Sequence, residues 1–422
     1  MKPFLPPFVL AISLGAMACL PTSLSGSEDS WPAFRGPDRQ GHAKALHVPT
    51  EWNDEGKVAW KIPMTLDGWA SPVVDQGHII LSGSRTTNEG ITLHVASYSL
   101  HDGSLEWERE VFKPDPATLK ARHSKNSHSS CTPILDDGKI YAHFGHFGTC
   151  ALSLNDGQIL WKRIIAYEPV HGNGGSPALV GNRLIFSADG ASGPALYALE
   201  VESGDIAWKT KRETAAKKTF SFSTPLAVEV GDRTQVISPG SGMVGAYDPS
   251  NGALIWRVDY GEGYSVIPRP ILHAGQLFIG TGYDRPKVMA IRLDQATGNL
   301  TQSHVSWETQ RSAPNTPSLI VVNDLLFFLS DGGILTCAEP QSGQVHWSER
   351  VGGNYSASPV SVGNHLYLTS EEGKVTVVEA NKSGMRVVAQ NDLEERTLAS
   401  PAILNRTLLL RSAQHLWKIV TP

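Results

Sequence analysis

A small residue followed by proline and an apolar strand recurs eight times along this chain, with arginine once in the small-residue place. The starts are Ser71-Pro72, Thr132-Pro133, Ser176-Pro177, Thr224-Pro225, Arg269-Pro270, Thr316-Pro317, Ser358-Pro359 and Ser400-Pro401, and they lie 42 to 61 residues apart. Repeats of about 40–50 residues match the length of one four-stranded propeller blade. Proline is acceptable at the first residue of a strand because that residue need not donate to the ladder. It also biases the preceding residue toward extended geometry.

A second mark follows the first. Asp102-Gly103, Asp156-Gly157, Ser203-Gly204, Asn251-Gly252 and Ser342-Gly343 each precede a tryptophan by a fixed step, giving Trp107, Trp161, Trp208, Trp256 and Trp347. Such pairs make tight hairpin turns. The tryptophan then falls on the outermost strand, where a large ring can fill the wedge that opens between blades. Two repeats depart. After Thr297-Gly298 the next tryptophan, Trp307, is delayed, which predicts a longer hairpin. After Ser383-Gly384 only Val387-Val388 follows, so that wedge must be filled in another way.

The chain ends complete the count. The last repeat, from Ala399 to Val420, has room for about three strands, and Val58-Ala59-Trp60-Lys61 has the pattern of an outermost strand. Joining the two ends makes one full blade and removes two open sheet edges. The reading is an all-β, eight-bladed propeller over residues 58–420, since seven blades would leave one start unexplained. Residues 26–57, with Trp31-Pro32-Ala33-Phe34-Arg35-Gly36-Pro37, form an extension expected to pack on the propeller as a strap. One propeller can absorb the whole length, so no second domain is required.

Residues 1–25 carry the features of an export signal. Lys2 supplies the charge, and the apolar stretch Phe8 to Ala18 is too short to span a bilayer. Ala16-Met17-Ala18 fits a signal-peptidase site, and Ala16-Met17-Ala18-Cys19 is also a loose lipobox in which Cys19 would be lipidated. Both readings stand at this point. The expected location is periplasmic or secreted, with a membrane contact only through such an anchor. Cys131 and Cys150 fall on the first and third strands of one blade, too far apart for a disulfide. A net charge of −5 lacks the basic excess of a general nucleic-acid binder.

Ser/Thr-Pro starts with Asp-Gly-x-x-x-Trp hairpins resemble the pyrroloquinoline-quinone-like (PQQ-like) β-propeller repeats. That family takes in quinoprotein alcohol dehydrogenases and the BamB lipoproteins of outer-membrane protein assembly. The Trp31 to Pro37 opening further resembles secreted PQQ-like proteins of planctomycete-type bacteria. The resemblance implies the fold, and it implies either a quinone with calcium over the axis or a scaffold role. The chain has no adjacent cysteine pair and no matching set of acidic and amide ligands, so no cofactor is expected. His-Glu-x-x-His, phosphate-loop and Gly-x-Ser-x-Gly patterns are missing from the sequence.

Function must then come from a site. In a propeller, the loops leading into the innermost strands and those joining second to third strands emerge on one face. There the sequence places Trp69, Lys125, Asn126, His128, His146, His171, Asn173, Tyr264, Arg269, Tyr283 and Arg285. Mixed cationic, amide and aromatic groups suit an oligosaccharide, an anionic ligand or a peptide. His128, His146 and His171 come from neighbouring loops and could converge as a three-histidine metal site. Trp60, Trp107, Trp161, Trp208, Trp256, Trp307 and Trp347 are read as structural. The expected function is a monomeric, non-enzymatic binding or scaffold propeller for an envelope protein or an extracellular polymer. A PQQ- or metal-dependent oxidoreductase is the alternative.

Overall fold

The computed structural model describes residues 29–45, 47–52, 56–119, 122–191 and 193–421, so the signal segment and Cys19 lie outside the described residues. Eight antiparallel four-stranded blades surround a central axis, and the described residues contain no α-helix. Blade 1 runs outward through Val73–Asp75, His78–Thr87, Gly90–Ser99 and Leu105–Phe112. Blade 8 runs through Ala402–Leu404, Thr407–Arg411 and His415–Val420, and Val58–Pro63 adds its outermost strand. The chain ends therefore close the ring as the sequence predicts. Most innermost and second strands are largely buried and apolar, as in Ile320–Val322 and Leu325–Leu329, because both sheet faces are covered by neighbouring blades.

The tryptophans act as pins between one blade and the next. Trp107 donates its indole N–H to Leu154 O (3.2 Å), Trp161 to Val201 O (2.8 Å), and Trp208 to Pro249 O (2.9 Å). Trp307 and Trp347 reach Pro340 O and Asn381 O in the same way. Each of these carbonyls belongs to the outer hairpin of the following blade. The hairpin glycine lies flat on the ring, and a Cβ built on Gly157 would stand 2.6 Å from Cε3 of Trp107. Glycine thus serves twice, supplying the positive φ of the turn (+67°) and the room for the neighbour's ring.

That double role can be separated experimentally. Gly138 also has a positive φ (+70°), but nothing stands within 4 Å of its missing Cβ. Gly138→Ala should cost only the left-handed backbone penalty of about 1–2 kcal/mol. Gly157→Ala should cost a further ~1–3 kcal/mol from overpacking against Trp107. Urea unfolding of the two variants checks this, and equal costs would remove the pin.

The two irregular repeats are resolved differently. In blade 5, Trp307 keeps its place opposite Ala290, and the extra hairpin residues Gly298–Asn299 pair in parallel with Trp256 and Arg257 of blade 4. Trp256 is completely buried beneath that added strand and turns its N–H to Gln235 Oε1 in its own blade (2.8 Å). In blade 7, Ala389 stands where other blades carry tryptophan, opposite Val377. The strap fills the space instead. Val48 and Trp52 are buried in one cluster with Val377 and Leu404, and Asn391 grips the strap through Trp52 N and Thr50 O.

The strap closes the lower end of the channel by using the free inner edges of the innermost strands. Trp31 exchanges both backbone hydrogen bonds with Val74 of blade 1, and Leu135 N of blade 2 donates to Pro32 O. Farther on, Leu272 N of blade 5 donates to Gln40 Oε1. His42 is hydrogen-bonded to Val321 O of blade 6, and His42–Ala43 pairs in parallel with Ser361–Val362 of blade 7. A segment of about a dozen residues thereby touches five blades.

Candidate functional site

At the head of each innermost strand one residue faces the axis, and together these residues form a ring. Ser71 N donates to Thr132 Oγ1 (3.0 Å), Thr132 N to Ser176 Oγ (2.8 Å), and Ser176 N to Thr224 Oγ1 (3.0 Å). Arg269 N donates to Ser318 Oγ, Ser318 N to Ser358 Oγ, Ser358 N to Ser400 Oγ, and Ser400 N to Ser71 Oγ, at 2.9–3.2 Å. Each step joins one blade to the next. The serines and threonines before proline are thus blade-to-blade connectors whose oxygens line the channel. Ser318, not Thr316, holds the sixth position, which corrects the sequence reading of Thr316-Pro317 as that start. Thr316 lies nearer the mouth and donates to Asp331 Oδ1 (2.7 Å).

Above the ring the channel opens into a cup of about 330 Å³, and Phe34 of the strap forms its floor. The wall above the hydroxyls carries Trp69, His123, Lys125, Asn126, His171, Phe222, Tyr264 and Tyr283. Five of the predicted residues with side chains suited to binding therefore come from blade 1, 2, 3 and 5 loops onto one cavity: Trp69, Lys125, Asn126, His171 and Tyr264. Tyr283, from the inner hairpin of blade 5, joins them.

The segment from Arg122 to Ser130 leans across the mouth. Lys125 Nζ pairs with Glu371 Oε1 of blade 7 at 2.7 Å. The Arg396 guanidinium of blade 8 lies 5.7 Å from the Trp69 ring and donates to Ser124 O (3.4 Å). Asn126 Nδ2 donates to His171 O, and its Oδ1 accepts from Ser127 N and Ser130 Oγ. Asn126 therefore shapes the loop while presenting one edge to the cup. Lys218, which packs 3.8 Å from the Tyr264 ring, supports the opposite wall.

Other predicted residues lie elsewhere. Asn173 is buried, donating to Phe144 O (2.9 Å) and accepting from Tyr167 Oη (3.1 Å). Arg285 is exposed outside the cup. Arg269 points below the ring, where Nη1 donates to Phe34 O and Nη2 to Pro225 O, both at 2.8 Å. Its long side chain cannot take the hydroxyl's place, so it holds the strap instead. The loop position that suggested an upper-face arginine is corrected by this downward turn.

The three-histidine arrangement is also corrected. His146 stacks on Phe147 at 3.8 Å between centroids, His128 approaches the same ring at 6.0 Å, and His171 packs on Phe220 at 5.2 Å. His128 and His146 thus share one aromatic ring while His171 packs on another, and among the described residues no three His, Cys, Asp or Glu side chains are grouped to hold a metal ion. Burial holds the imidazoles of His128 and His171 below their usual range, and neutral rings suit that packing. Cys131, Cys150 and Cys337 are free and buried.

The quinone implied by the repeat family can be tested against this lining. Pyrroloquinoline quinone carries three carboxylates, and a hard cation such as calcium takes several oxygen ligands, carboxylates foremost. No carboxylate lines the cup, its one lysine is already paired with Glu371, and Asn126 Oδ1 already accepts two hydrogen bonds. These residues do not fit a quinone–calcium pair. They suit a neutral or weakly charged ligand that stacks on aromatic faces and exchanges hydrogen bonds with hydroxyls.

The family described as outer membrane protein assembly factor BamB matches residues 49–188, 168–349 and 292–419. The BamB protein of Escherichia coli strain K12 is 27% identical over 320 residues, covering 68% of this chain and 73% of that protein. Among solved structures, BamB from Moraxella catarrhalis superposes with a TM-score of 0.62 at 14% identity, covering 86% of this chain and 99% of that one. A europium-containing methanol dehydrogenase superposes with a TM-score of 0.70 at 10% identity, covering 94% and 98%. Likeness at these identities shows the shared propeller fold.

Proposed function

Because the chain belongs to the family of the outer membrane protein assembly factor BamB, we propose that it is an exported docking scaffold for outer-membrane protein assembly. In this reading its partner is an envelope protein, held at the cup and rim of the upper face. The observation that carries the reading is the family match across residues 49–419, which spans every blade. The chemistry of the cup supports it. Aromatic side chains ring a closed-bottomed cavity of hydroxyls, the arrangement in which buried aromatic anchors contribute most to protein–protein binding.

Residues 1–25 would supply export, and Cys19 a lipid anchor if it is processed. A polysaccharide strand is the second occupant that hydroxyls and aromatic faces suit.

Photo-crosslinkers placed at positions 69 and 264 in whole cells test the site, with position 160 on an exposed outer strand as control. The expected result is capture, from the two cup positions, of a component of the outer-membrane assembly machinery identified by mass spectrometry. Trp69→Ala combined with Tyr264→Ala should reduce that association at least about tenfold, with an unchanged melting temperature. Capture only from position 160, or of polysaccharide alone, would overturn the reading.

A further inference from the structure

The floor of the channel gathers three guanidiniums, Arg35, Arg39 and Arg269, against two carboxylates, Asp38 near Arg35 and Arg39 and Asp136 near Arg39. Arg35 and Arg269 are almost fully buried, at 1% and 2% exposure, and Arg39 stands beside them, half-buried. Among the described residues none of the three has a carboxylate oxygen within 4 Å. Asp38 is the nearest acidic group to Arg35, but its Oδ1 accepts from the backbone N–H groups of Gln40, Gly41 and His42, and its Oδ2 pairs with the His42 ring. Arg35 makes a single side-chain hydrogen bond, from Nη2 to Pro359 O (3.4 Å), leaving Nε and Nη1 buried without an acceptor. Arg269 likewise leaves Nε without one.

Guanidinium groups do not give up their proton at physiological pH. Burial does push Arg35 and Arg39 down to about 10, and Arg269 well below its usual value, the last also through repulsion from Arg39 and Arg35. All the same, the floor remains cationic near neutrality for Arg35 and Arg39. A trapped water could accept the orphaned N–H bonds, but it would leave the charge in place, and an unpaired buried charge is far more costly than an unpaired dipole.

We propose that the floor of the axial channel binds a small inorganic anion of halide size between Arg35 and Arg269. The free N–H groups of both guanidiniums are its donors, and the strap is the element it fastens to the propeller. The size follows from the tight surroundings. A Cβ on Gly41 would stand 2.8 Å from Arg35 Nη2 and 3.1 Å from its Nε, which leaves little room beside that guanidinium. Arg35 and Arg39 also hold positive φ angles of 65° and 64°, a strained backbone that an anion bridging strap to blade would help to maintain.

The test uses the mature protein in gluconate buffer at constant ionic strength, with chloride or bromide replacing gluconate stepwise. Binding to the folded state alone raises the melting temperature in a saturable way, here by at least about 2 °C. Bromide soaked into crystals should give an anomalous peak between the two guanidiniums. Arg269→Ser restores the hydroxyl that the other ring positions carry and should abolish the halide dependence. Coincident chloride and gluconate curves for the unaltered protein would overturn the proposal. So would a response to phosphate or sulfate but not to halide, or halide dependence retained in Arg269→Ser. If that variant does not fold, the bromide peak in the unaltered protein decides alone.

Discussion

Arg212→Ala is expected to destabilise the propeller by about 3–5 kcal/mol, the cost of breaking a buried ion pair from one side. Arg212 and Asp189 are 1% and 0% exposed, and Arg212 Nε donates to Asp189 Oδ1 at 2.9 Å. The same guanidinium donates to Ser238 O, Ser238 Oγ and Ser187 Oγ, and lies 5.8 Å from the Tyr247 ring. Ser187 and Asp189 belong to blade 3, Ser238 and Tyr247 to blade 4, so one side chain fastens two blades. Alanine strands the Asp189 carboxylate in the interior without its counter-ion. Denaturant unfolding should show the loss, and adding Asp189→Leu to Arg212→Met should cost less than the two single changes together. A loss below about 1 kcal/mol for Arg212→Ala would place the pair in the class of exposed ion pairs and contradict its burial.

Trp31→Ala should have a comparable effect, about 3–5 kcal/mol, because it deletes a large buried ring at the start of the strap. Trp31 is 1% exposed and shares a core cluster with Val74, Ile79 and Tyr98 of blade 1. Gly36 folds back onto its ring, so the turn that delivers Phe34 to the channel rests on Trp31. Losing the ring should loosen that turn and open the floor of the cup. Limited proteolysis is expected to cut between residues 32 and 41 in the variant, and denaturant unfolding to show the lower stability. Retained protection with unchanged stability would mean that the backbone pairing with Val74 suffices to seat the strap.

The fold was legible in the sequence because its determinants are local and periodic. A proline after seven of the eight ring residues, an Asp-Gly-type turn and a tryptophan at a fixed step each report on one blade without reference to the others. Even the failures carried information. The missing tryptophan at Ala389 marked the place where the strap, not a hairpin, fills the wedge. The delayed Trp307 marked an added strand. One reading slipped by two residues, since Thr316-Pro317 imitates a start while Ser318-Leu319 occupies it. Proline preference is a bias of single positions, and the register was decided by which hydroxyl could meet Ser358.

The candidate site was legible only in part. Trp69, Lys125, Asn126, His171, Tyr264 and Tyr283 could be assigned to one face from topology, and the structure gathers them on one cup. Phe222 and His123 carried the same signal. Phe34 did not, because nothing in its neighbourhood tells that a segment before the propeller would enter the channel from below. Asn173 was drawn inward by Phe144 and Tyr167, while His128 and His146 settled on Phe147 and His171 on Phe220.

By itself the sequence determined the all-β class, the eight-blade count and the closure of the last blade by Val58–Pro63. Those follow from alternation, turn chemistry and spacing along a continuous stretch of chain. Only the tertiary structure decided that the residues heading the innermost strands join into a ring, that the strap seals the floor, and that Arg269 turns beneath it. Each of these requires groups forty or more residues apart in the chain to meet at a common axis. Which of them meet depends on the packing of neighbouring blades and on the burial of charge, neither of which any local spacing records.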